Sequence, residues 1–79
     1  MAEDPRKMLG AEIRRTRKSM GMTIQEFASH VGIPWQTVQA YEAGTTVPPA
    51  DRLLKILHAA RRAPEPFRVH HVARVLSAA

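Results

Sequence analysis

Apolar residues along the chain recur at helical spacing, and no stretch shows the strict alternation of a half-buried strand. Leu9, Ile13 and Met20, with Thr16 completing the spacing, mark the inner face of a first helix. Asp4 is placed to cap that helix, Pro5 suits its first position, and Gly21 ends it. Phe27, Ala28 and Val31 form a second, shorter stripe. Thr23 precedes it with Glu26 three residues on, the spacing of a capping box in which each side chain accepts the other's backbone N–H. Met22 is set to pack on Phe27 as a hydrophobic staple. Gly32 supplies the left-handed conformation that closes a helix. Ile33 re-enters the core and Pro34 suits the first turn of a third helix. Val38 and Tyr41 then face inward until Gly44 stops it. Trp35, Gln36, Gln39, Ala40 and Ala43 are left on the outer or boundary side.

Beyond a Thr45-Thr46-Val47-Pro48-Pro49 loop, Pro49 and Asp51 open a fourth helix. Leu53, Leu54, Ile56, Leu57 and Ala60 give it an apolar face, and Arg61 and Arg62 suit its C-terminal end, where the helix dipole favours cations. The prolines at 64 and 66 break the chain again. In the last segment, from Phe67, Val69, Val72, Ala73 and Leu76 share one stripe, with Phe67 and Val75 partly off it. Two readings stay open there. One is a dimerisation helix over 67–78, with Phe67, Val69, Val72 and Leu76 in the interface. The other is a terminal helix folded back on its own core. The expected fold is all-α: one compact domain of five helices over 1–79.

Helices as short as the second and third are marginal alone and need a scaffold. Two of them around a glycine turn, with small and amide side chains outward, describe a helix-turn-helix over 23–44 whose second helix a major groove can accept.

Composition narrows the function. Seventy-nine residues allow a single small core. With no cysteine there is no disulfide, thiolate metal site or thiol catalysis, and such a chain fits a cytoplasmic setting. No apolar run approaches membrane-spanning length, and 1–7 lack the apolar core of a secretion signal. The net charge of +5 and pI near 10.8 suggest a polyanionic partner. The charge is also segregated, since no Lys or Arg falls between Ser19 and Asp51. A central segment for base contact, flanked by phosphate-holding blocks, follows from that distribution. No nucleophile–base–orienter set and no glycine-rich phosphate loop appears, so neither an enzyme nor a cofactor is expected. His70 and His71 are adjacent and point about 100° apart on a helix, so they do not chelate one metal. His30 and His58 have no obvious partner, and no metal site is expected.

From Leu9 to about Leu57 the chain resembles the phage repressor and Cro-like helix-turn-helix family, also called XRE or lambda-repressor-like. The resemblance rests on Leu9, Ile13, Arg17, Gly21-Met22-Thr23, Glu26-Phe27-Ala28, Val31-Gly32-Ile33, Thr37-Val38, Tyr41-Glu42, Gly44, Pro48 and Leu53. It implies a DNA-binding transcription regulator, usually a homodimer on a palindromic operator. It places base contact on Trp35, Gln36, Thr37, Gln39 and Ala40, and a structural ion pair between Arg17 and Glu42. The chain departs from the family pattern at Ile24 (Gln25 stands next to it), at Ala43, at the uncharged Thr45-Thr46-Val47 loop and at Pro49. The first three departures remove phosphate or base-edge contacts and make dimerisation more necessary.

Gln36 and Gln39 are the strongest base readers, because an amide pairs bidentately with adenine N6 and N7. Thr37 is suited to a phosphate or a thymine methyl, and Ala40 to a methyl alone. Trp35 either lies against sugar and thymine methyl or covers the edge of the core. Arg14, Arg15, Lys18, Gln25, Thr45, Thr46, Arg52 and Lys55 are the expected phosphate contacts. The leading expectation is a repressor of promoter DNA. The competing one is an antitoxin or similar module that uses the same fold to hold a protein partner.

Overall fold

The computed structural model describes residues 4–68 and residue 73. Among them are four helices: α1 (Pro5–Ser19), α2 (Ile24–Val31), α3 (Trp35–Ala43) and α4 (Ala50–Ala60). The expectation of five is corrected to four described helices. Phe67 and Arg68 are not helical, so a helix cannot begin at 67 as expected, and Val69, Val72 and Leu76 lie outside the described residues.

The helix boundaries follow local chemistry. The Asp4 carboxylate accepts the Arg6 N–H at 3.0 Å, with Pro5 at the first position of α1. The Thr23–Glu26 box forms in both directions, at 2.9 and 3.1 Å. Its backbone bond holds the Glu26 carboxyl below its ordinary value. Gly32 ends α2 at φ 70° and Gly44 ends α3 at φ 78°, conformations that glycine adopts without strain. Pro34 and Pro49 stand one position before α3 and α4. They cap through their carbonyls, which accept from Val38 at 3.1 Å and from Leu53 at 2.9 Å.

The core gathers Leu9 and Ile13 of α1, Phe27, Ala28 and Val31 of α2, Ile33, Val38 and Tyr41 of the turn and α3, and Leu53 and Ile56 of α4. Leu54, expected on the inner face of α4, is 66% exposed. It stands one residue, hence about 100°, from Leu53 and so turns away from the stripe formed by Leu53, Ile56 and Ala60.

α3 lies tightly on α1. A Cβ built at Gly10, in mid-α1, falls 2.5 Å from the Tyr41 carbonyl oxygen and 2.6 Å from that of Glu42. One built at Gly44 falls 2.8 Å from Lys7 Cγ. Only glycine permits this approach at position 10, and it seats the C-terminal half of α3 against the N-terminal half of α1.

After α4 the chain returns along the back of α1 as a strap. Thr16, fully buried, donates to the Glu65 carbonyl at 2.8 Å, and Ser19 Oγ accepts the Glu65 N–H at 3.3 Å. Arg15 donates to the Pro66 carbonyl at 2.8 Å and to the Glu65 carboxylate at 3.2 Å. Phe67, for which a dimer interface and a fold-back onto the core both stood open, is half-buried against the chain's own core.

Candidate nucleic-acid interface

The inner and outer faces of α3 divide cleanly. Val38 and Tyr41 are buried; Trp35, Gln36, Gln39 and Ala43 are exposed; Thr37 and Ala40 are intermediate. Trp35 keeps 40% of its surface. No hydrogen bond from within the described residues occupies the Gln36 or Gln39 amides. Both therefore hold a donor and an acceptor free for an outside group.

Arg17 fixes the orientation of this helix. Its Nε donates to Glu42 Oε2 at 2.7 Å and its Nη2 to Glu42 Oε1 at 3.0 Å, a bidentate pair with both side chains under 10% exposed. Its Nη1 donates to the Met22 carbonyl at 2.7 Å. One guanidinium thus ties α1, the turn before α2 and the last turn of α3 together. Arg52 of α4 donates to the Tyr41 hydroxyl at 3.3 Å, a bond that raises its pKa further and adds a tether from the other side.

The expected phosphate contacts separate into groups. Arg14 lies beside α3, where it lines a shallow depression with Arg17, Ile24, Gln39, Glu42 and Ala43. Lys18, Gln25 and Thr46 are exposed. The Thr45 hydroxyl donates to the Ala40 carbonyl at 3.1 Å, closing the end of α3. Lys55 lies elsewhere, in a groove with His30 and His58. Arg15 belongs to the strap. Besides Glu65 and Pro66 it holds the buried carboxylate of Glu12 at 2.7 Å, the main reason its pKa is raised. The same carboxylate accepts from the Arg68 N–H at 3.4 Å. Sequence reasoning overlooked both Glu12 and Gly10. The Glu12–Arg15 spacing of three along one helix was a signal for the first, and a glycine in mid-helix for the second.

A short glycine-turned pair of helices, the second held by its inner face and bare on its outer one, defines a helix-turn-helix. The family model described as helix-turn-helix, HTH_3, matches residues 13–67, well over half of the chain. The chain belongs to this family, the XRE-type helix-turn-helix proteins. No curated protein matches it. Similar solved structures include two of the clp gene regulator ClgR from Corynebacterium glutamicum. The first superposes with a TM-score of 0.75 at 19% identity, covering 98% of this chain and 94% of that one. The second gives 0.74 at 20%, covering 96% and 77%. At these identities the likeness is one of fold.

Proposed function

We propose that this chain is a sequence-specific DNA-binding transcriptional repressor, acting as a homodimer on a palindromic operator. The observation that carries the reading is the outer face of α3. It presents two unpaired amides beside an exposed indole, and Arg14 borders the same face. Amides at that position pair with adenine edges in the major groove, and the flanking cations hold phosphates. The family match and the fold shared with a gene regulator support the same conclusion. Two such helices in a symmetric dimer enter successive major grooves about 34 Å apart. Repression then follows from occupying promoter DNA, by binding alone and without catalysis. The whole chain serves as one DNA-binding domain.

The test begins by selecting bound duplexes from a random pool. A two-fold symmetric consensus is expected. Gln36→Ala/Gln39→Ala then lowers affinity for that consensus while non-specific binding at low salt stays within about twofold. An equal loss on both kinds of DNA would remove the glutamines from the readers, and a consensus without symmetry would remove the dimer.

A further inference from the structure

A groove of about 430 Å³ runs between the C-terminal turns of α2 and α4. His30, Lys55, His58, Arg61 and Arg62 line it, over a floor of Val31 and Ala59. No carboxylate lines it, and no residue of α3 does. Cations at helix C-termini are expected from the helix dipole, and Arg61 is used in that way. Its Nη1 donates to the His58 carbonyl at 2.9 Å and lies 2.8 Å from His58 Nε2. Lys55 and Arg62 are different. Lys55 stands in the middle of α4 and Arg62 beyond its end, both exposed. Among the described residues neither has an ion-pair partner.

Of the chain's seven Asp and Glu residues, Glu3 lies outside the described residues and none of the other six lines the groove. Asp4 caps α1 and Glu26 caps α2. Glu42 holds Arg17, while Glu12 and Glu65 hold Arg15. Asp51, in the first turn of α4, stands one turn before Lys55 but does not line the groove and makes no ion pair with it. Positions 69–79 contain no Asp or Glu. Like charges gathered in one groove repel one another, and an external anion relieves that repulsion.

We propose that this groove is a docking site for an acidic segment of a protein partner, whose carboxylates meet Lys55, Arg61 and Arg62 and whose apolar side chains meet Val31 and Ala59. The apolar floor favours a peptide over a phosphodiester backbone, which offers that floor no apolar contact. Because α3 contributes nothing to the lining, the proposal is independent of how α3 reads DNA. It also leaves the partner accessible while α3 is engaged.

The test uses the full chain without DNA and a fluorescein-labelled peptide of glutamates around a central leucine pair. Saturable binding by anisotropy is expected, with amide shifts centred on His30, Lys55 and His58. Lys55→Glu/Arg62→Glu weakens the peptide at least about tenfold, and Lys55→Gln/Arg62→Gln weakens it less. Arg14→Glu/Lys18→Glu makes the same change in net charge outside the groove and leaves the peptide within about twofold. Circular dichroism confirms that each variant is folded. Equal loss in both charge-reversed variants would reduce the effect to net charge and overturn the proposal. So would an absence of saturable binding. A Lys55→Glu/Arg62→Glu variant that loses duplex DNA but not the peptide would make the groove a phosphate contact and overturn it as well.

Discussion

Replacing Gly10 by alanine sets two effects of opposite sign against each other. Mid-helix alanine is favoured over glycine by about 1 kcal/mol, so propensity alone predicts a more stable protein. The new methyl, however, falls 2.5 and 2.6 Å from two consecutive carbonyl oxygens of α3. Reaching ordinary contact requires roughly 0.9 Å of separation. The obstructing atoms are backbone and cannot swing aside. Moving them also moves Tyr41, buried and bonded to Arg52, and Glu42, bonded twice to Arg17. Overpacking of this kind costs about 1–3 kcal/mol, and a rigid neighbour with coupled tethers belongs at or beyond the upper end. After the propensity gain, a net loss of about 2 kcal/mol is expected. For a domain of this size that is a fall in Tm of roughly 8–16 °C. Thermal melts followed by circular dichroism measure it. Gly21→Ala is the control. A Cβ there meets nothing within 4 Å, but φ is +72°, so its expected cost of about 1 kcal/mol comes from conformation alone. A Gly10→Ala protein as stable as wild type, or more so, would show that α3 does not sit on α1 as described.

Three further outcomes are expected. Arg17→Ala or Glu42→Ala leaves a buried charge unpaired and lowers stability by about 3–5 kcal/mol, whereas Arg17→Met/Glu42→Leu costs less than either; denaturant titration of the three variants checks this ordering. The Glu26 carboxyl titrates below its unfolded value of 4.5. Its contribution is therefore complete above about pH 5 and lost as pH falls through the depressed folded value, so the Tm gap between wild type and Glu26→Gln is constant at neutral pH and shrinks in acid. Arg15→Ala removes the bonds to Glu65 and Pro66. It also strips the buried Glu12 carboxylate of its 2.7 Å partner, leaving it the weaker contacts to Arg68, so stability falls by about 3 kcal/mol, amide exchange at Glu65 quickens and duplex affinity stays within about twofold. A large loss of DNA binding would return Arg15 to the phosphate contacts.

What the sequence disclosed and what it concealed differ in range. The Thr23–Glu26 box and the stops at Gly32 and Gly44 depend on residues three or four apart, so their chemistry is complete within a short window. Arg17 and Glu42 are 25 residues apart. Nothing local joins them, and the pairing was reached only through the family resemblance. Arg15 shows the converse. An arginine in a basic run looks like surface charge, yet besides Glu12 three residues away its partners lie 50 and 51 residues away in the strap. Leu54 was misplaced because four apolar residues among five in 53–57 leave the phase of the stripe ambiguous, and packing chose the Leu53, Ile56 and Ala60 side. A glycine in mid-helix flags Gly10 as unusual, but what it serves, the approach between α1 and α3, only the assembled fold brings about.

The side chains that α3 turns outward hold nothing together. Gln36, Gln39 and Ala43 are exposed, and each can be exchanged with little effect on the interior, since substitutions at such positions usually shift stability by less than about 0.5 kcal/mol. The clamp through Arg17 meanwhile keeps the rod at a constant pitch. Under the proposed function, a lineage carrying this arrangement can drift toward new target words one letter at a time, with no detour through an unfolded ancestor.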